Sequence, residues 1–153
     1  MIDRQNRDNL SHRLRLLATG QITNDEFEDS IHIKSEDPAI WRIFRNGAWP
    51  LYDDLHEHKL TGKYRLPNEE KKNIARTILF LKSDREYEWK EPAWFIKAAL
   101  ILFGLPTFGF VPRLFYRKFF SGQGDSEVWP YIRKSDLEAD LDKQPYLNAN
   151  ENR

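Results

Sequence analysis

Apolar residues recur every three or four positions through the first part of the chain. Leu10, Leu14, Leu17 and Ala18 form one stripe, which predicts a helix from about Arg4 to Thr19. Gly20 follows, where a closing helix commonly needs a residue with positive φ. Thr23 and Glu26 then stand three apart, the spacing of a reciprocal cap. In such a cap the threonine oxygen accepts from the Glu26 amide while Glu26 reaches back to the Thr23 amide. With Ile22 before the cap and Phe27 one turn in, the stretch 14–31 predicts a tightly turned helical hairpin. Asp37-Pro38 predicts a second capped start, leading a helix with Ile40, Trp41 and Phe44 on its inner side. Gly47 and Pro50 interrupt that helix, and a short helix is expected over 51–58, closed by Thr61-Gly62. The clearest helical text runs from Pro67 to Ser83. Acidic Glu69 and Glu70 open it, and Ile74, Ala75, Ile78, Leu79 and Leu81 point inward, as expected of the central core helix.

Periodicity changes at Arg85. In "REYEWKE" the aromatic residues Tyr87 and Trp89 alternate with Glu86, Glu88 and Lys90, a period of two that predicts a strand. "EVWPYIR" over 127–133 is a second candidate, where Pro130 allows only an edge or a bend. A last helix is expected from a capping box at Ser135 and Glu138, ending before Pro145. These patterns predict a mainly α fold, a single compact domain over 1–147 of about six helices with a small two-stranded β element. A flexible polar tail follows over 148–153. The expected core draws on Leu14, Leu17, Phe27, Trp41, Phe44, Ile74, Ile78, Leu79 and Phe80.

Composition narrows the functional classes. Hydrophobic residues make up 40% and charged residues 31% of 153 residues, as in a folded globular domain. Aromatic residues reach 14%, so few side chains supply much of the buried area. The formal net charge is zero, which provides no global basic field, and no nucleic-acid partner is expected. The absence of cysteine excludes disulfides and thiolate chemistry. The N-terminal text is charged and has no apolar h-region, so a cytoplasmic location is expected.

The most unusual text is "PAWFIKAALILFGLPTFGFVPRLFYRKFF", residues 92–120. Fifteen uncharged residues separate Lys97 from Arg113, and Gly104, Pro106, Gly109 and Pro112 break them. The run is short for a membrane-spanning helix, which takes about 20 residues, and the prolines interrupt its second half. It is read first as a core or partner-facing surface, with Trp94, Phe95, Phe103, Phe108, Phe110, Phe115 and Phe119 as contact residues. A second reading is a lipid-contacting segment in which Arg113, Arg117 and Lys118 face an anionic membrane surface.

One cluster has ligating chemistry. Asp53, Asp54, His56, Glu57 and His58 stand together, and carboxylate with imidazole suits zinc, manganese or iron. Asp54, His56 and His58 are the candidate metal ligands, although no simple helix or strand spacing completes a site. A solvated polar face explains the same residues, and no cofactor and no catalytic residue is assigned. "SGQGDS" over 121–126 leads into extended text instead of a helix N-terminus, so it reads as a turn and not a phosphate cradle.

The hairpin residues Leu14, Leu17, Gly20, Ile22, Thr23, Glu26 and Phe27 resemble the SHOCT-type short helical module of bacteria. That resemblance implies a helical hairpin and a role in self-association. The functional expectation rests on the apolar segment: an interaction or scaffold protein, not an enzyme, that uses 94–120 to hold a protein partner or a second copy of itself. A peripheral membrane protein using the same segment, and a metal-dependent enzyme around 53–58, are the alternatives.

Overall fold

The computed structural model of the chain describes residues 1–31, 35–53, 55–90 and 124–143. Among these the fold is mainly helical, with five α-helices: α1 (Arg4–Ala18), α2 (Asn24–Asp29), α3 (Pro38–Ile43), α4 (Asn68–Lys82) and α5 (Lys134–Lys143). Helices α1 and α4 form the main packed pair, and α2, α3 and α5 lean on one or the other. Leu10, Leu14 and Leu17 of α1 are buried, as are Ile74, Ile78, Leu79, Phe80 and Leu81 of α4. The apolar stripes expected from the sequence thus face each other. Ala75 departs from its stripe and is exposed.

The turn between α1 and α2 follows its local signals. Gly20 has φ of 68°, and the Gly20 and Gln21 amides donate to the Leu17 and Leu16 carbonyls at 2.9 Å each. The Thr23 hydroxyl accepts from the Glu26 amide at 3.1 Å, and the Thr23 amide donates to the Glu26 carboxylate at 2.8 Å. A β-carbon at position 20 would lie 2.3 Å from the Thr61 methyl. Gly20→Ala therefore combines a left-handed backbone cost of about 1–2 kcal/mol with a steric clash. Urea titration should show that loss, and adding Thr61→Ser should restore the steric part while leaving the backbone part.

Helix α3 starts as expected, with the Asp37 carboxylate accepting from the Ala39 amide at 3.0 Å and Pro38 in the first turn. It continues through a π-helical turn over Phe44–Ala48 and a 3₁₀ turn over Trp49–Leu51. Trp41 does not join the core. It is 40% exposed, stacked on Phe44 at 6.2 Å between ring centroids, with Arg45 over its outer face. The helix buries Ala39, Ile40 and Ile43 instead, and Phe44 packs half-buried against Phe27. The short helix expected over 51–58 is also absent among the described residues, where irregular backbone takes its place.

An ion pair that no local pattern announced locks α1, α3 and α4 together. Arg7 and Asp37 are both buried. Arg7 Nε donates to Asp37 Oδ2 at 2.5 Å and Nη2 to Oδ1 at 3.0 Å, a bidentate pairing. Arg7 Nη1 also donates to the Arg85 carbonyl at 2.8 Å and the Ser83 carbonyl at 3.3 Å. Arg4 donates to the Ser83 carbonyl at 3.0 Å and to the Leu81 carbonyl. Two cations from the start of α1 thus satisfy carbonyls at the end of α4, where the helix dipole favours positive charge.

Burial alone would raise the Asp37 carboxyl, but hydrogen bonds from Arg7, Asp3 and Ala39 and the Arg7 charge hold it below the ordinary aspartate value. The Asp3 carboxyl is lowered too, by hydrogen bonds from Ser35 and Asn6. A depressed carboxyl stabilises the fold above its unfolded pKa of about 3.9, because the unfolded state binds the proton more readily. That contribution disappears as pH falls through the lower, folded value. Denaturant midpoints should therefore decline with acidification below about pH 4.

The expected β element is not present among the described residues. Exposure does alternate from Glu86 to Lys90, and Trp89 is buried. Yet neither 85–89 nor 127–133 is a strand, and side chains join the two segments in place of a backbone ladder. Trp89 Nε1 donates to the Pro130 and Tyr131 carbonyls at 3.0 and 3.1 Å, and Trp129 Nε1 donates to the Tyr87 hydroxyl at 3.1 Å. Arg76 of α4 holds the Trp129 carbonyl at 2.7 Å. Arg85 pairs with Asp140 at 2.7 Å and Asp136 at 3.0 Å, fastening the same region to α5. Helix α5 begins at Lys134, so Ser135 lies within its first turn and is not its cap.

Candidate functional site

The interaction residues expected from the sequence, Trp94, Phe95, Phe103, Phe108, Phe110, Phe115 and Phe119, lie outside the described residues. So do Arg113, Arg117 and Lys118, the 148–153 tail, and Asp54 of the ligating cluster. The described parts of that cluster form a pinned loop. Asn24, at the start of α2, is buried and reads the loop backbone. Its amide donates to the His58 carbonyl at 3.1 Å, and its side-chain oxygen accepts from the His58 amide at 2.7 Å. Asn24 Nδ2 lies 3.2 Å from both the Asp53 and His56 carbonyls. His58 Nδ1 donates to the His56 carbonyl at 2.8 Å, and the His58 ring lies 4.1 Å from that of Tyr64. His56 Nδ1 donates to the Leu55 carbonyl. Among the described residues no three His, Asp or Glu side chains come together as metal ligands.

The hairpin and this loop together build a groove that the sequence reading missed. Thr23 bridges to Lys59, the Thr23 hydroxyl donates to Glu57 at 2.8 Å, and Lys59 Nζ donates to the Gln21 carbonyl at 3.1 Å. The segment Leu60–Arg65 is thereby held beside the end of α1 and the first half of α4. Between them lies an open groove of about 670 Å³. Ala18, Leu60, Ile74, Ala75 and Ile78 supply its apolar lining, and Thr19, Thr61 and Gly62 lie along it. Arg15, Arg65 and Lys71 are its charged residues, and no acid is among those lining it. None of these three cations forms an ion pair among the described residues. One signal was available beforehand: Lys71 stands three and four residues before Ile74 and Ala75, on the stripe that continues to Ile78. Arg15 and Arg65 join it only through the fold.

A second notable region bounds the stretch 91–123. Burial pushes the Tyr131 hydroxyl well above the ordinary phenol range, with the nearby Asp140 charge adding to it. Burial likewise raises Tyr87, partly offset by the hydrogen bond from Trp129. Both phenols stay protonated at neutral pH and act as fixed packing surfaces for Phe80, whose ring meets each edge-on. No helix among the described residues is long and apolar enough to cross a membrane.

The chain matches no protein-family model, and no curated protein or solved structure shows significant similarity to it.

Proposed function

We propose that this chain is an interaction or scaffold protein that presents residues 94–120 to a protein partner or to a second copy of itself. The observation that supports this reading best is the joining of the two segments that bound the stretch. Trp89, on one side, donates to carbonyls of Pro130 and Tyr131 on the other, and Trp129 donates back to Tyr87. The described segments on either side of residues 91–123 are therefore fastened to each other. In this reading Trp94, Phe95, Phe103, Phe108, Phe110, Phe115 and Phe119 supply the contacts, since aromatic anchors dominate the energetics of protein interfaces.

The basic text around Arg113, Arg117 and Lys118 favours the second reading, contact with an anionic membrane. Sedimentation velocity over a range of concentrations, with and without phosphatidylglycerol vesicles at low and high salt, separates the two. A concentration-dependent oligomer, or a defined complex with a purified partner, supports the interaction reading. A monomer that pellets with vesicles, releases in salt, and loses this behaviour when the three basic residues become glutamate overturns it in favour of the membrane.

A further inference from the structure

We infer that the groove between α1, α4 and Leu60–Arg65 is a binding site for a monomeric anionic amphiphile, a carboxylate carried on a single aliphatic chain. This goes beyond the proposed interaction role and does not depend on it. The volume of about 670 Å³ lies within the range of small-ligand sites, about 300–1,000 Å³. The apolar lining is aliphatic throughout, from Ala18, Leu60, Ile74, Ala75 and Ile78, with no aromatic ring to stack a flat ligand. In a chain that is 14% aromatic, an all-aliphatic surface selects a flexible hydrocarbon over a planar heterocycle.

The charged lining sets the sign of the head group. Arg15, Arg65 and Lys71 come from three separate parts of the fold and converge on one groove without an acid. The chain as a whole is neutral, so this convergence is local and does not follow from an overall positive charge. Three other described arginines are neutralised by acids, Arg7 by Asp37, Arg4 by Asp8 and Asp84, and Arg85 by Asp136 and Asp140, whereas the groove brings three cations together with none. Cations left unpaired beside apolar surface attract a carboxylate whose tail removes that surface from water. The groove wall is also held by the chain itself, since Asn24, Thr23 and the Thr23–Lys59 bridge fix the loop.

The test is calorimetric titration of the full chain with laurate below its micellar concentration, alongside dodecyltrimethylammonium and dodecanol. Saturable one-to-one binding of laurate is expected, about tenfold or more tighter than either control, equivalent to at least about 1.4 kcal/mol. The variant R15Q/R65Q/K71Q should erase that preference. Ala75→Trp, at an exposed helix position lining the groove, should weaken laurate at least tenfold and keep the parent circular dichroism, so the inference stays decidable if the triple variant unfolds. Absence of saturable binding, equal binding of the cationic amphiphile, or laurate affinity unchanged in Ala75→Trp would overturn it.

Discussion

Arg7→Met is expected to destabilise the fold by about 3–5 kcal/mol, the usual cost of removing one partner from a buried ion pair. The substitution keeps most of the apolar stem, so lost packing contributes little. What remains is the Asp37 carboxylate, buried, with only the Asp3 and Ala39 amides still donating to it. The Arg85 carbonyl loses its Arg7 donor, and the Ser83 carbonyl keeps only Arg4. A domain has about 5–15 kcal/mol of total stability, so the loss should be plain as a lower urea midpoint. A change under about 1 kcal/mol, the size typical of an exposed pair, would show that the pair does not act as a buried lock.

The acid limb gives a second readout of the same variant. With Arg7 removed, burial is left as the main influence on Asp37, and it acts upward. The carboxyl then takes up a proton at higher pH, and the decline in stability on acidification should begin earlier than in the parent. Asp37→Asn costs the pairing as well as part of the α3 cap, itself worth about 1 kcal/mol. Arg7→Met with Asp37→Asn should therefore be less damaging than the sum of the two, since the second change removes the charge that the first left stranded.

The elements legible in the sequence are those specified within one or two helical turns. Gly20, the Thr23 and Glu26 cap, the Asp37-Pro38 start and the α4 stripe depend on neighbours within about four residues, and all are found apart from Ala75, which is exposed. Trp41 shows where periodicity stops: three residues of α3 suffice to bury its inner side, and a large ring at the margin is left on the surface over Phe44. The alternation at Tyr87 and Trp89 correctly marked which side is buried. It did not say that indole N–H groups, in place of a backbone ladder, would meet the facing carbonyls. The side chains of the histidine cluster offer ligating groups to a sequence pattern, whereas the fold holds the cluster's backbone through Asn24, over thirty residues away. Arg7 and Asp37, and Arg15 and the other two groove cations, are likewise thirty or more residues apart, and local patterns carry no signal for such meetings.

Phe27→Ala is expected to destabilise by about 3–5 kcal/mol, the range for deleting a fully buried aromatic ring. Phe27 is completely buried, stacked at 6.0 Å on Phe44 and edge-on at 6.2 Å to Tyr52. Its loss removes the ring that joins α2 to the extension of α3 and to the strand of backbone leading into the 53–58 loop. Helix α2 spans only Asn24–Asp29, too short to persist without tertiary packing, so its cap cannot compensate. Because Asn24 stands on that same helix and holds the loop beside the groove, the damage should spread. Hydrogen exchange at the His58 and Glu26 amides should accelerate with the global change, while Phe27→Leu, which refills most of the volume, should restore much of both. Protection at those amides unchanged in Phe27→Ala would separate the hairpin from the groove wall and show that the loop is held by other contacts.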